Sequence, residues 1–148
     1  MIEQHRMKVL IVDDNNADAR LVKTLVEETG LPINITIVRD GEGAILHMER
    51  AAKGELPEPD LILLDINLPK KDGHEVLAAI RSMGQIAQTC VVMCSGSGMA
   101  EDYAQARINH ANAYILKPVG FEEMDAIVKD LRGILVSLIN GTNQAVAF

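Results

Sequence analysis

The stretch from Leu61 to Leu64 constrains the fold most, because it is apolar at every position and runs directly into Asp65. A strand without alternation of apolar and polar residues is typical of a parallel sheet whose two faces are both covered. Such a strand presents a polar group only at its end. Asp65 is therefore predicted at the carboxyl edge of the sheet, where open α/β folds bind their ligands.

Strand-like and helix-like segments alternate five times along the chain. The predicted strands cover residues 8–12, 33–38, 61–64, 90–94 and 112–116. The predicted helices cover residues 17–28, the segment after 40–43 up to 53, the segment after 72–73 up to 83, 99–109 and 121–139. Five repeats with right-handed crossovers predict an α/β fold. We expect a flavodoxin-like, doubly wound, five-stranded parallel sheet with strand order 2-1-3-4-5 and helices on both faces.

The chain has 148 residues, which is the size of one domain. We expect a short N-terminal arm at residues 1–7, one folded domain over residues 8–139 and a C-terminal tail at residues 140–148. The five repeats occupy nearly all of this length, so we expect no output domain.

The composition argues against several classes of partner. The net charge is −7, and the chain has no Trp, two Tyr and two Phe. Negative charge opposes binding to a nucleic-acid backbone, and few aromatic rings are available to stack on bases. The polar N-terminus lacks the apolar core of a signal peptide, and no apolar segment is long enough to cross a bilayer. We therefore expect a cytoplasmic protein that binds neither nucleic acid directly nor a membrane.

The two cysteines, Cys90 and Cys94, lie in one short predicted strand. Four residues of strand span about 13 Å, and a disulfide needs Cα atoms within about 7 Å, so the two thiols are predicted to be unpaired and buried. The four histidines are scattered along the sequence and are predicted at the surface or its boundary, at positions 5, 47, 74 and 110.

Reactive side chains follow four of the five predicted strands. They are Asp13 and Asp14, Asp65, Ser95 and Lys117. Because the carboxyl ends of parallel strands meet at one edge of the sheet, we expect these groups to lie together. Three carboxylates in one cleft favour Mg²⁺, with Mn²⁺ as an alternative, whereas the lack of His and thiolate ligands disfavours zinc and copper. A carboxylate beside a cation can also accept a phosphoryl group.

Each of these residues, taken alone, also fits a simpler structural role. The segment from Asp13 to Asn16 fits a helix cap, and Asp65 and Ser95 fit turns. Lys117 fits a solvated strand end. It is the occurrence of all of them at one sheet edge that favours a chemical site.

Over residues 8–139 the sequence resembles the receiver domains of two-component response regulators. The motifs that carry the resemblance are, in chain order, the pair Asp13–Asp14, Asp65, Pro69, Asp72–Gly73, Ser95, Tyr114 and Lys117–Pro118. Ser95 follows Asp65 by 30 residues, and Lys117 follows it by 52. The phrase from Asn67 to Gly73 resembles receivers without an output domain that partner bacterial phytochromes and related sensor kinases.

The resemblance implies a role for each polar residue of the edge. Asp65 is the phosphoacceptor. Asp14 and Asp13, the latter either directly or through water, hold Mg²⁺ beside Asp65, and the main-chain carbonyl of Asn67 completes the ligand set. Lys117 contacts the phosphoryl oxygens.

Further residues are implied to control the switch. The bond between Lys117 and Pro118 is expected to be cis. Ser95 is the switch hydroxyl that moves to the phosphate, and Tyr114 is the switch aromatic that swings inward behind it. Asn67 and Ser97 occupy positions that tune the lifetime of the aspartyl phosphate.

The implied partners are a sensor histidine kinase and an unidentified target protein. The face formed by the fourth helix, fifth strand and fifth helix would shift on phosphorylation, and a homodimer through this face is one alternative. The apolar residues of the last helix cover more than one side, which fits either a dimer surface or a well-buried helix.

Several other functions can be compared with that of a receiver. A phosphatase with an aspartate nucleophile usually carries a second acid two residues later, where this chain has Asn67. The sequence lacks the phosphate-binding glycine motifs of nucleotide hydrolases and dinucleotide enzymes. We therefore expect a phosphoacceptor switch that is not an enzyme. A phosphorelay shuttle to a histidine-containing partner and an adaptor that never takes phosphate both remain open.

Overall fold

A computed structural model describes residues 6–141. The strands are β1 (Met7–Val12), β2 (Ile33–Val38), β3 (Leu61–Leu64), β4 (Cys90–Ser95) and β5 (Ala113–Leu116). The helices are α1 (Asn16–Glu27), α2 (Gly41–Ala52), α3 (Gly73–Arg81), α4 (Ala100–Ile108) and α5 (Phe121–Ile139), with a short 3₁₀ turn at Gly84–Ile86. Of the expected terminal segments, residues 1–5 and 142–148 lie outside the described residues.

The five strands form one parallel sheet in the order β2-β1-β3-β4-β5. The predicted fold class and strand order are therefore confirmed. Two element ends differ from expectation in ways that matter. β1 begins at Met7, inside the expected arm, and β4 continues through Ser95 instead of ending before it.

Two hydrophobic cores cover the two faces of the sheet. Leu61 and Leu63 pack into the core beneath α1 and α5. Ile62 and Leu64 point the other way, into the core beneath α2 and α3. All four side chains are at most 1 % exposed, which explains why β3 is apolar at every position.

Three helices begin at side-chain caps that follow a strand or a loop. Asn15 accepts a hydrogen bond from the N–H of Asp18, and Asp40 accepts one from Gly43. Asp72 starts α3 with a reciprocal bond to Glu75. These caps fix the position at which each helix begins. They also anchor the loops at the carboxyl edge of the sheet to the first turns of those helices.

α4 is attached to the domain less firmly than the other helices. It has no side-chain cap at its start, and Ala106 is the single buried residue among the nine of this helix. Few apolar contacts imply that polar contacts set the position of α4.

Gly73 allows the loop after β3 to fold back on itself. A Cβ atom at this position would lie 2.2 Å from the carbonyl oxygen of Asp65. The Gly73 N–H instead donates to the Ile66 carbonyl at 2.8 Å. The close approach explains the glycine and holds the backbone that follows Asp65.

Within residues 6–141, no helix is both long and apolar enough to cross a membrane.

Candidate functional site

The sheet registers bring the reactive residues to one edge. Val12 pairs with Leu64 across β1 and β3, and Ser95 pairs with Leu116 across β4 and β5. Backbone hydrogen bonds continue one residue beyond the strands. The Asp65 N–H donates to Val12 at 3.0 Å, and the Lys117 N–H donates to Ser95 at 2.9 Å. The backbone of Asp65, Ser95 and Lys117 is therefore fixed by the sheet.

Three carboxylates meet at this edge. One oxygen from each of Asp13, Asp14 and Asp65 lies within 4.8 Å of the others. Asp13 and Asp65 are 2 % and 6 % exposed, whereas Asp14 is exposed. Within residues 6–141 this is the one cluster of three or more metal-ligating side chains. Hard oxygen donors at this separation fit a divalent cation such as Mg²⁺ or Mn²⁺.

Each buried carboxylate has one oxygen bonded to the backbone. Oδ1 of Asp13 accepts from the Asn15 N–H at 3.0 Å, and Oδ1 of Asp65 accepts from the Ile66 N–H at 2.8 Å. These bonds orient the carboxylates and leave Oδ2 of both residues facing the cleft.

Lys117 is the cation at the centre of the cluster. Its Nζ lies 2.7 Å from Oδ2 of Asp13, 3.1 Å from Oδ2 of Asp18 and 3.3 Å from Oδ2 of Asp65. The Lys117 side chain is 9 % exposed. Sequence reasoning missed Asp18; the available signal was its place in the first turn of a helix that starts at the same sheet edge.

The surroundings shift the pKa values of Asp65 and Lys117. Burial raises the pKa of Asp65 above its ordinary value, the Lys117 charge opposes that effect, and the Asp13 charge adds to it. Burial alone would lower the pKa of Lys117. The hydrogen bonds to Asp13 and Asp18 and the charges of Asp65 and Asp13 outweigh burial, so the Lys117 pKa is raised and the ammonium stays charged.

We expect Asp65→Asn to raise the free energy of unfolding at neutral pH when no divalent cation is present. A carboxyl whose folded pKa is raised costs stability above that pKa, and the asparagine removes this cost. Each kcal/mol gained would raise Tm by about 3–4 °C in a chain of this size. The gain should disappear as the pH falls below about 3.9, the ordinary Asp pKa. The Asp65 carboxyl is then neutral in both the folded and the unfolded protein. Thermal unfolding in EDTA from pH 7 to pH 3.5 measures it, and a lower Tm for the variant at pH 7 would contradict the assignment.

Ser95 is fully buried at the end of β4. Its Oγ accepts a hydrogen bond from the Ser97 N–H at 3.2 Å. Tyr114 is half-buried on β5, and its hydroxyl donates to the Ser97 carbonyl at 2.7 Å. The Tyr114 ring stacks on Tyr103 of α4, with 4.1 Å between ring centroids. Burial raises the Tyr114 pKa, and the charge of Asp102 adds to the effect.

Asn67 is exposed in the loop after β3, beside the carboxylate cluster in sequence. Gly73 closes this loop, as described above. The use of the Asn67 carbonyl as a metal ligand stays a prediction, because it concerns a bound cation.

The expected cis bond between Lys117 and Pro118 is corrected by the structure. No cis peptide bond occurs among residues 6–141, so this bond is trans. The preference of an X–Pro bond for trans is about 0.5–1 kcal/mol, and tertiary contacts decide between the isomers. Here Nζ of Lys117 reaches Asp13 and Asp65 from the trans backbone.

The cysteines are free and buried, as predicted. Burial raises the pKa of Cys90 to about 11 and that of Cys94 to about 12, so both thiols are protonated at neutral pH and are poor metal ligands. His74 departs from the expectation of a simple boundary residue. It is half-buried, and its Nε2 contacts Oδ1 of Asp102 at 3.1 Å. His5 lies outside the described residues.

Comparison with known proteins places the fold and the acidic edge in a family. Residues 9–129 match the response regulator receiver domain. The chain belongs to this family. The resemblance stated from the sequence is thereby confirmed. Members of the family are phosphoacceptor switches rather than typical enzymes, and they work in two-component signalling with sensor histidine kinases.

Curated relatives support the same assignment. The receiver is 36 % identical to the probable methanogenesis regulatory protein FilR2 of Methanothrix harundinacea, over 84 % of this chain and 80 % of that protein. It is 32 % identical to the response regulator Rcp1 of Synechocystis, over 88 % of this chain and 90 % of that protein.

Solved structures show the same architecture. The phosphorylated cyanobacterial phytochrome response regulator RcpA superposes with a TM-score of 0.78 at 33 % identity, covering 93 % of this chain and 96 % of that chain. The Mn²⁺-bound form of Rcp1 gives a TM-score of 0.75 at 32 % identity, covering 95 % and 99 %. The predicted similarity to regulators of phytochromes is confirmed.

Proposed function

We propose that this receiver accepts a phosphoryl group on Asp65 from a sensor histidine kinase and thereby switches its binding to a target protein. The observation that carries the proposal is the position of Asp65. Its buried carboxylate lies 3.3 Å from Nζ of Lys117 and within 4.8 Å of carboxylate oxygens of Asp13 and Asp14. An anionic acceptor beside a fixed cation and a set of hard oxygen donors is the arrangement that phosphoryl transfer requires.

Asp13, Asp14 and Asp65, with the main-chain carbonyl of Asn67, would hold Mg²⁺, and Mn²⁺ would substitute for it. The Mn²⁺-bound form of Rcp1 supports this proposal by similarity. The bound cation would supply positive charge that offsets the three carboxylates and the phosphoryl oxygens. Asp13 and Asp65 keep their cleft-facing oxygens in place through the backbone bonds of their Oδ1 atoms.

In the transfer step, an Asp65 carboxylate oxygen forms a bond to phosphorus while the phosphorus–nitrogen bond of the donor phosphohistidine breaks. The imidazole leaves with the bonding electrons, and the product is an acyl phosphate on Asp65. Lys117 is already charged and desolvated at the cleft, so its ammonium can donate to the phosphoryl oxygens without reorganising. The protein contributes positioning and charge, and it supplies no proton to Asp65.

After transfer, Ser95 and Tyr114 would change their contacts. Ser95 would turn its hydroxyl from Ser97 toward the phosphoryl group. Tyr114 would move inward behind Ser95. Such a change is a shift between two conformations whose energies differ by a few kcal/mol.

The exposed apolar side chains beside this switch support a protein partner on the α4–β5–α5 face. Leu116, Val119 and Phe121 are 42 %, 94 % and 87 % exposed. A second copy of the chain and a target protein are alternative occupants of this face. Four apolar residues of α5 are buried in the core, namely Ile127, Leu131, Ile134 and Leu135, whereas Ile139 is 50 % exposed. We propose that the protein acts in the cytoplasm and does not contact nucleic acid directly.

Phosphorylation should require a divalent cation. We expect purified protein with acetyl phosphate and Mg²⁺ to gain the mass of one phosphoryl group, and we expect Mn²⁺ to support the same gain. EDTA should reduce the phosphorylated fraction at least about tenfold, since repulsion by three carboxylates then opposes an anionic donor. Intact mass spectrometry measures the fraction. Equal modification in EDTA would contradict the proposed metal role.

A relay shuttle is the second candidate, because the same chemistry in reverse would pass the group to a histidine. Incubating the phosphorylated protein with histidine-containing phosphotransfer domains separates the two uses. Rapid loss of phosphoryl from Asp65 with gain on one such domain favours the shuttle, and slow hydrolysis without transfer favours the terminal switch.

A further inference from the structure

Four of the five strands are followed by reactive side chains, whereas β2 is followed by Arg39 and Asp40. The Arg39 guanidinium donates to the Asn16 side chain. Asp40 begins α2 by accepting a hydrogen bond from the Gly43 N–H at 2.6 Å, and its carboxylate is not part of the acidic cluster. The start of α2 therefore lies at the carboxyl edge of the sheet without adding a side chain to the cluster.

Gly41, the first residue of α2, lies against the loop of residues 66–72, which we call the β3–α3 loop. A Cβ atom at Gly41 would lie 2.0 Å from the carbonyl oxygen of Lys71, 2.7 Å from its carbonyl carbon and 2.8 Å from its Cβ. The Gly41 N–H also donates a long hydrogen bond of 3.4 Å to the Pro69 carbonyl. The main chain of α2 is thus in direct contact with that of the loop.

Space, and not backbone conformation, accounts for the glycine at position 41. Gly41 is buried and its φ is negative, a conformation that alanine adopts without strain. A side chain here would press on main-chain atoms of Lys71, which cannot turn aside as the end of a flexible side chain can. Any residue other than glycine would therefore push α2 and the β3–α3 loop apart.

The β3–α3 loop is held at two places. Gly73 packs on the backbone that directly follows β3, and Gly41 packs on Lys71 near the other end of the loop. Between these two contacts, Lys70 has a φ of 70°, in the left-handed region. A residue other than glycine keeps this conformation only where its surroundings impose it. The contact with α2 is one of the contacts that fix the course of the loop.

We propose that Gly41 is a positioning residue for the divalent cation. Its contact with Lys71 holds the main chain of the β3–α3 loop in place, and with it the carbonyl of Asn67. The inference rests on the proposed function, in which this carbonyl completes the ligand set. A main-chain ligand can be placed only by the backbone that carries it, and Asn67 lies outside the strands, between the two contacts that hold the loop. Groups behind the ligands of a metal site set its affinity in this way.

The test compares Gly41→Ala with Gly133→Ala in the full chain, with Mn²⁺ alone as the probe. Gly133 lies in α5, and a Cβ atom there would meet nothing within 4 Å, so the control places the same alanine in a helix without a clash. The electron paramagnetic resonance signal of free Mn²⁺ gives the bound fraction and hence Kd. We expect Gly41→Ala to bind Mn²⁺ at least roughly tenfold more weakly than wild type, and Gly133→Ala to bind it as wild type does.

A third variant separates positioning from general loss of stability. Leu135 is fully buried in the core beneath α5, away from the β3–α3 loop. Leu135→Ala leaves a cavity and lowers Tm, but it does not touch the loop. We expect this variant to bind Mn²⁺ as wild type does at a temperature where it is folded. Weaker binding by Gly41→Ala would then follow from the position of the loop.

Two variants of Lys71 test the same contact without a clash, and they decide the question if Gly41→Ala does not fold. Lys71 is exposed, and its Nζ lies 3.9 Å from a carboxylate oxygen of Glu75. Lys71→Gly and Lys71→Ala lose the same charge and the same ion pair, but only glycine frees the backbone that Gly41 contacts. We expect Lys71→Gly to bind Mn²⁺ about two- to fivefold more weakly than Lys71→Ala.

The outcomes are distinct. Wild-type Mn²⁺ affinity in folded Gly41→Ala, or equal affinity in the two Lys71 variants, would overturn the positioning role and leave the proposed function intact. Leu135→Ala binding as weakly as Gly41→Ala would overturn it too, because affinity would then follow stability. Failure of wild type to bind Mn²⁺ or to take phosphoryl from acetyl phosphate would instead overturn the proposed function itself.

Discussion

Asp65→Asn is expected to reduce phosphorylation from acetyl phosphate at least about 10³-fold, to the detection limit of intact mass spectrometry. The asparagine fills the same space at the end of β3, but its amide oxygen carries no negative charge to attack phosphorus. The variant should also fold, because the hydrogen bond from the Ile66 N–H can go to an amide oxygen equally well. Loss of phosphorylation would then reflect chemistry and not unfolding.

Asp125→Asn is the matched control for this experiment. Asp125 is exposed on α5 and is not part of the acidic cluster, and its replacement changes the net charge equally. We expect it to be phosphorylated as wild type is. Persistent phosphorylation of the Asp65→Asn protein, mapped by peptide analysis to another aspartate, would contradict the assignment of the acceptor.

Lys117→Met should cost about 3 kcal/mol of unfolding free energy at pH 7 in EDTA, equal to a drop in Tm of about 10 °C. The replacement keeps an unbranched side chain of similar length. It leaves the buried carboxylates of Asp13 and Asp65 without their cation, which lies 2.7 Å and 3.3 Å away in the wild type. Removing one partner of a buried ion pair leaves an uncompensated charge, and this charge is the source of the large loss of stability.

Mg²⁺ should reverse most of this loss. A divalent cation at the acidic cluster replaces the missing positive charge, so saturating Mg²⁺ should raise Tm more in Lys117→Met than in wild type. The deficit in EDTA should also shrink as the pH falls toward the ordinary pKa of Asp, because the raised pKa of Asp65 means that this carboxylate is then neutral. Scanning calorimetry with and without Mg²⁺ measures both effects.

Lys129→Met, at an exposed position on α5, controls for the loss of one lysine and should change Tm little. A Lys117→Met protein as stable as wild type in EDTA would contradict the central place of Lys117 in the cluster. A protein that is destabilised but does not respond to Mg²⁺ would contradict the metal site.

Local pattern predicted the sheet and the acidic edge well, for a physical reason. The alternation of strand and helix leaves few parallel arrangements, and the apolar run of Leu61–Leu64 identified a strand covered on both faces. Given a parallel sheet, Asp13, Asp65 and Lys117 had to meet at its carboxyl edge, and the registers of β1, β3 and β5 bring them there.

Contacts between segments that are distant in the chain could not be predicted from the local sequence pattern. Asp18 lies 3.1 Å from Nζ of Lys117, but its distance depends on how α1 crosses the sheet. The isomer of the Lys117–Pro118 bond depends on a difference of about 1 kcal/mol that the surrounding packing decides. The contact between His74 and Asp102 depends on the distance between α3 and α4. The hydrophobic periodicity of the sequence does not determine that distance.

By itself the sequence determined the parallel sheet, the covered central strand and the set of acid, hydroxyl and amine groups at one sheet edge. These follow from hydrophobic periodicity and from the rule that parallel strands end together. The tertiary structure alone decided which of those groups are buried, which carboxylate oxygens face Lys117, and that Ser95 and Tyr114 both bond to Ser97. Burial and contact distance are properties of packed side chains, and packing joins residues that the sequence keeps far apart.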